Sequence, residues 1–173
     1  MRDKYVLKIC SSGSYQVGKT SLIRRYAEGT FTSNYMPTIG VDITSKLITV
    51  NNQQVKIILH DTAGQEVFGR LRRFYYEGSV GCLAIYDITR RETFESIELW
   101  VADYRSVSGE NNPLVLIGNK IDLEDQRTVS TEEGQILADS LGLNFYECSA
   151  KLGGEIIPKI YTELIKNNFD FLK

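Results

Sequence analysis

Four short stretches, far apart in the chain, have the residue types and spacing that phosphate, metal and base chemistry require. The first is Gly13-Ser14-Tyr15-Gln16-Val17-Gly18-Lys19-Thr20, which fits the pattern G-x-x-x-x-G-K-[ST]. Backbone N–H groups of such a loop, with the open N-terminus of a following helix, form a concave donor site for phosphate oxygens. Lys19 is the residue to neutralise the outer phosphates, and the Thr20 hydroxyl is a ligand for Mg²⁺. The second stretch is Asp61-Thr62-Ala63-Gly64-Gln65-Glu66. A carboxylate here reaches Mg²⁺, usually through water, because that ion dehydrates reluctantly. Gly64 lets the backbone approach a terminal phosphate, and Gln65 carries both a donor and an acceptor with which to hold an attacking water. The third is Asn119-Lys120-Ile121-Asp122. One carboxylate accepting two parallel N–H bonds is what guanine N1 and N2 need, and adenine would leave Asp122 unpaired. The fourth is Ser149-Ala150-Lys151, whose Ala150 amide is placed to meet the guanine carbonyl while the Lys120 stem covers the ring.

The elements that must position these stretches alternate along the chain. Tyr5-Val6-Leu7-Lys8-Ile9-Cys10 reads as a buried strand ahead of the glycine loop, with a strand expected over about 4–11 and a helix over about 19–27. A polar loop, 28–40, carries Phe31, Tyr35, Pro37 and Thr38. Two β-rich runs, 41–50 and 54–61, are joined at Asn51-Asn52, a good hairpin turn. The stretch 63–73 reads as loop and irregular helix. Strands are expected over 80–86, 114–118 and 143–148. Helices are expected over 92–107, from the capping box Ser130/Glu133 to about Ser140, and over 154–167, with Pro158 tolerated near the first turn. This alternation predicts an α/β fold with about six strands in a mixed sheet, one antiparallel edge strand and about five helices on both faces. Ligands gather at the carboxyl ends of the strands in such sheets, and each polar stretch above follows a predicted strand.

The 173 residues suit one domain, 1–173, with a sizeable core. A net charge of −2 gives no general attraction to nucleic acid or membrane. Cys10, Cys82 and Cys148 lie in separate apolar runs, which argues against a disulfide framework or a zinc site and for a reducing compartment. The start of the chain leads straight into a strand, so no signal peptide is expected, and no apolar run has the length of a membrane span.

With these motifs in this order the chain resembles the Ras-like small GTPases, and within them the Rab branch, over about 4–167. The Rab-like stretches are Ile39-Gly40-Val41-Asp42-Ile43, Asp61 to Glu66, Tyr75-Tyr76-Glu77-Gly78-Ser79 and Tyr86-Asp87-Ile88-Thr89. The resemblance implies an α/β P-loop NTPase G domain, GTP and GDP as ligands, Mg²⁺ as cofactor, and hydrolysis of GTP to GDP and phosphate. It assigns nucleotide binding to Ser14, Tyr15, Gln16, Val17, Gly18, Lys19, Thr20, Ser21, Phe31, Tyr35, Thr38, Gly64, Asn119, Lys120, Asp122, Ser149, Ala150 and Lys151. Within that set it makes Phe31 the aromatic that packs edge-on against guanine. It assigns the metal to Thr20, Thr38 and Asp61, and catalysis to Gln65, Lys19 and Thr38, with Thr38 sensing the third phosphate. Asp61 to about Tyr76 corresponds to switch II. The implied partners are an exchange factor, a GTPase-activating protein and effectors that read both switches. A monomer without nucleic-acid partners is expected, in the cytoplasm or on the cytoplasmic face of an endomembrane.

Departures from the family pattern bear on what this member does. Tyr15 and Gln16 stand where the family has small residues. Bulk at the first position obstructs the catalytic glutamine and an incoming arginine finger, which is worth about 10³–10⁵ in rate. Two readings stay open: Tyr15 slows hydrolysis, leaving a GTP-loaded binding scaffold at the extreme, or it swings outward and activators still work. A positive φ at Gln16 would cost a non-glycine residue about 1–2 kcal/mol, but small GTPases accept alanine at this place, so little strain is expected. Arg70, Arg72 and Arg73 read as a solvated basic face rather than as an arginine finger in cis. His60 stands where Rabs carry tryptophan and Ile43 where they carry phenylalanine. With Tyr75 they form the patch that effectors read, so atypical partners are expected. His60 reads as a solvent-facing strand residue able to titrate near neutral pH. The chain stops at Asp170-Phe171-Leu172-Lys173 with no cysteine after Cys148 and no C-a-a-X ending. A trimmed lipidated tail is expected, the other reading being a protein without a lipid anchor. Nucleotide-driven assembly and ATP chemistry are the remaining alternatives; the second is disfavoured by Asn119, Lys120 and Asp122.

Overall fold

The computed structural model describes residues 5–34, 36–39, 41–63 and 69–169. Among these residues six strands form one sheet: β1 (Tyr5–Ser12), β2 (Val41–Val50), β3 (Gln53–Thr62), β4 (Gly81–Asp87), β5 (Leu114–Asn119) and β6 (Asn144–Cys148). Their order across the sheet is β2-β3-β1-β4-β5-β6. All neighbours are parallel except β2 and β3, which form the hairpin predicted at Asn51-Asn52. Both asparagines have positive φ, 49° and 62°, the backbone that a two-residue turn needs to match strand twist. The chain moves to one side of β1 to reach β3 and to the other side to reach β4. The carboxyl end of β1 is therefore the topological switch point, where open α/β sheets bind ligands.

Among the described residues there are six α-helices: α1 (Lys19–Glu28), α2 (Gly69–Tyr76), α3 (Arg91–Glu95), α4 (Ile97–Ser108), α5 (Thr131–Leu141) and α6 (Ile156–Phe169). Strand side chains alternate between two cores. On one face Leu7, Ile9, Ile57, Leu83, Ile85 and Ile117 pack with Leu22 and Tyr26 of α1 and with Ile160, Tyr161 and Leu164 of α6. On the other, Cys10, Ala84, Tyr86 and Leu116 pack with Tyr76, Ile97, Val101, Tyr104 and Ala138. The central strands β4 and β5 are buried along their whole length, as parallel strands covered on both faces are, whereas edge strand β2 is never fully buried.

Two helical expectations are corrected. The run expected over 92–107 is two helices, broken at Ser96, whose hydroxyl bonds the Thr93 carbonyl (3.0 Å) and the Ser14 hydroxyl (2.8 Å) and so competes with the backbone ladder. Residues 69–76, inside and just beyond the stretch read as irregular, form a regular helix because Arg72 and Tyr76, four apart, are both buried beneath it. The capping box at Ser130 and Glu133 is present, and Pro158 is the third residue of α6.

Candidate functional site

The glycine loop leaves β1 at Gly13, where φ is 141° and a Cβ would stand 2.2 Å from the Ile85 carbonyl oxygen. At Gly18 φ is 98° and a Cβ would stand 2.3 Å from Asn119 Nδ2, so neighbouring strands hold the loop at both ends too closely for any side chain. Gln16 has φ 62°, the left-handed conformation anticipated there. Helix α1 begins at Lys19 with no side-chain cap on its first amides, leaving its N-terminus as an open donor site. Lys19 is buried and donates to the carbonyls of Gly13 (2.8 Å) and Ser14 (2.7 Å), with a third ammonium proton to spare. Burial lowers its pKa to about 8, against the pull of the Asp61 carboxylate and with the repulsion of Arg72. The outer side of the loop is tied down as well. Trp100 donates its indole N–H to the Ser14 hydroxyl (3.1 Å), and Arg90 donates to the Tyr15 carbonyl (3.0 Å).

Beside Lys19 three hard oxygen donors converge. Thr20 Oγ1 donates to Asp61 Oδ2 at 2.5 Å, Thr38 Oγ1 donates to the same oxygen at 3.1 Å, and the two hydroxyls are 3.0 Å apart. Asp61 is buried, and its other oxygen, Oδ1, has no hydrogen-bond partner among the described residues. Burial raises the Asp61 pKa; the Thr20 hydrogen bond, the Lys19 charge and the Thr38 hydrogen bond pull it back. Two hydroxyls, one carboxylate and an orphaned carboxylate oxygen fit a small cation that takes oxygen ligands and keeps part of its water, which is the chemistry of Mg²⁺.

At the far end of the cleft Asn119 joins two loops. Its Nδ2 donates to the Val17 carbonyl (2.9 Å) and its Oδ1 accepts the Ala150 amide (3.2 Å). Lys120 has φ 75°, and its ammonium lies 2.6 Å from Asp87 Oδ2. Asp122 lies in the short 3₁₀ segment Ile121–Gln126. Its Oδ1 accepts the Ser149 hydroxyl (2.6 Å), and Lys151 Nζ is 3.9 Å from Oδ2. Each carboxylate oxygen accepts two hydrogen bonds, so Asp122 retains acceptor capacity toward the cleft.

A cleft of about 510 Å³ connects the three regions. Tyr15, Gln16, Gly18, Lys19, Thr20, Ser21, Phe31, Thr38, Asn119, Lys120, Asp122, Ala150 and Lys151 line it. Of the other site residues expected from sequence, Ser14, Val17, Asp61 and Ser149 stand behind that wall, each bonded to a residue of the loops around it. Tyr35, Gly64 and Gln65 lie outside the described residues. The cleft also has Arg24, Met36 and Arg90 in its wall, which sequence reasoning missed. Arg24 follows Thr20 by one helical turn, a signal that was available; nothing local marks Arg90.

Two readings around α2 are corrected. Arg72 is not part of a solvated basic face. It is 6% exposed, stacked on the Trp100 ring (4.6 Å to the centroid), with Asp103 at 3.8 Å. His60 is not solvent-facing: Tyr75 packs edge-on against it, with ring centroids 5.3 Å apart. Burial and the nearby Lys8 charge lower the His60 pKa to about 4, well below neutrality. Of the expected effector patch, Ile43 is exposed, Tyr75 half-buried and His60 covered.

A glycine loop between β1 and α1, a corner of three oxygen-bearing side chains and an Asn-Lys-x-Asp turn meet at one cleft of a six-stranded mixed sheet, the arrangement of a P-loop GTPase domain. The Ras family model matches residues 8–169, and this chain belongs to that family, in its Rab branch. Proteins of this family bind GTP and GDP with Mg²⁺. The chain is 41% identical over 147 residues to the Ras-related protein Rab-3B of Homo sapiens, covering 85% of this chain and 67% of the relative. It is 42% identical to Rab-3A of Homo sapiens, with the same coverage, and 41% identical to Rab-3C of Bos taurus, with 85% and 65% covered. The alignments thus span about two thirds of these curated relatives.

Proposed function

We propose that this chain is one Rab-type switch domain that binds GTP, hydrolyses it to GDP and phosphate, and serves vesicle traffic by binding effectors in the GTP state. The observation that supports this reading most strongly is the convergence of Lys19, the Thr20–Asp61 pair and the Asn119–Asp122 turn on one cleft. In it the loop amides and Lys19 bind the phosphates, and Thr20, Thr38 and Asp61 hold Mg²⁺. When bound, that ion offsets charge on the phosphate oxygens. Thr38 reports the third phosphate to the stretch that leads into β2. Gln65 is assigned the attacking water by the family resemblance. Asp122 accepts the guanine N–H pair, while Lys120, Ser149, Ala150, Lys151 and Phe31 shape the base end. Exchange factors, activators and effectors act through the two switches, with Ile43 and Tyr75 as the accessible part of the patch and partners that differ from those of ordinary Rabs.

One observation favours a second reading, a GTP-loaded scaffold that hydrolyses slowly: Tyr15 stands half-buried in the cleft wall, with its carbonyl held by Arg90. Phosphate release in a single turnover, with and without a Rab activator, tests both. A switch shows measurable hydrolysis in the wild type that the activator speeds, whereas a slow scaffold shows little until Tyr15→Gly accelerates it and sensitises it to the activator. Equal rates for wild type and variant, with and without activator, remove the role given to Tyr15, and no release from either removes the switch.

A further inference from the structure

The side chain of Arg25, in the last turn of α1, spans three backbone carbonyls from two segments. Its Nε donates to Ala150 O (2.8 Å), Nη2 to Lys151 O (2.7 Å) and Nη1 to Gly29 O (2.8 Å). Ala150 and Lys151 are the base-end loop; Gly29 caps α1, donating its amide to the Arg25 carbonyl (3.1 Å), and begins the stretch toward Phe31 and Thr38. The loop closes over the guanidinium at Gly153, where φ is +76° and a Cβ would stand 3.3 Å from Arg25 Cδ and Nε. The arrangement has a physical logic. The Ala150 amide points inward to Asn119, so the carbonyls of the same short loop turn outward, where a planar guanidinium can take several at once.

We propose that Arg25 is a positioning residue that clamps the base-end loop to the root of the 30–39 stretch and thereby sets how long a guanine nucleotide stays bound. This rests on the nucleotide-binding reading above. Arg25 does not line the cleft; it acts through the backbone of Ala150 and Lys151 and through Gly29. Loosening the base end should release GDP while leaving the metal corner of Thr20, Thr38 and Asp61 as it is. A lysine in its place offers a point charge that cannot hold three carbonyls in a fork.

The test is release of a fluorescent GDP from the whole chain loaded with Mg²⁺, in wild type, Arg25→Ala and Arg25→Lys, with single-turnover hydrolysis of bound GTP measured in parallel. Arg25→Ala should release GDP at least about tenfold faster, the equivalent of losing one hydrogen bond to a charged group. Arg25→Lys should fall between it and wild type. Release should change far more than the first-order hydrolysis constant, and chelating Mg²⁺ should accelerate release by the same factor in all three proteins. If Arg25→Ala does not fold, Arg25→Lys decides by the same comparison. Release at the wild-type rate in the folded variants, or hydrolysis falling as much as release rises, overturns the proposal. Failure of the wild-type chain to bind GDP at all would instead remove the nucleotide-binding reading beneath it.

Discussion

Asn119 joins the phosphate loop to the base-end loop, so its truncation should weaken both ends of the cleft together. It is 1% exposed, with Nδ2 on the Val17 carbonyl at 2.9 Å and Oδ1 on the Ala150 amide at 3.2 Å. Asn119→Ala removes both partners and leaves a buried carbonyl and a buried amide without them, at about 1–3 kcal/mol each. Water entering the vacated space offsets part of this, which puts the total near 2–4 kcal/mol, or about 30- to 1,000-fold in an equilibrium constant. The assays are thermal unfolding of the nucleotide-free chain and the dissociation rate of fluorescent GDP. Both should change, the first because the two loops are no longer joined and the second because they no longer enclose the ligand. Asn119→Asp is the sharper companion: it keeps an oxygen for Ala150 but sets the other against the Val17 carbonyl, so it should be at least as damaging as alanine. A release rate within about threefold of wild type for Asn119→Ala, less than 1 kcal/mol on the same scale, would refute the claim that this side chain holds the cleft together.

Gln16 has φ 62°. Gln16→Gly relieves about 1–2 kcal/mol of left-handed strain and gives back about 0.4–1 kcal/mol in unfolded-state entropy, so the urea midpoint should rise by the equivalent of about 0.5–1 kcal/mol. His60 has its pKa lowered from the ordinary 6.5 to about 4. The unfolded chain therefore binds the proton first, and stability falls as pH drops from about 6.5 to about 4, by about 2 kcal/mol once screening at the rim is allowed for. In His60→Gln that segment of the stability–pH curve should flatten; the same slope in the variant would show that another group is responsible.

Much of the site was legible because its chemistry is local. The Gly13–Thr20 spacing, the Asn51-Asn52 turn and the Ser130/Glu133 box each need only neighbouring residues, and each is where the sequence put it. What was not legible depends on residues distant in the chain. The break at Ser96 follows from a bond to Ser14, Arg72 is buried because Trp100 and Asp103 receive it, and His60 is covered because the last turn of α2 sets Tyr75 against it. The Lys120–Asp87 pair and the bonds from Arg25 to the Ala150 and Lys151 carbonyls likewise join segments whose adjacency comes from the sheet order, which no window of sequence contains.

Nucleotide preference of the purified chain bears most directly on the cleft as a guanine site. In competition against fluorescent GDP with Mg²⁺ present, unlabelled GDP and GTP should displace the probe at equal concentration, while ADP and ATP should fail even in large excess, and Asp122→Ala should erase that preference. Displacement by adenine nucleotides as readily as by guanine nucleotides would contradict the account at its root.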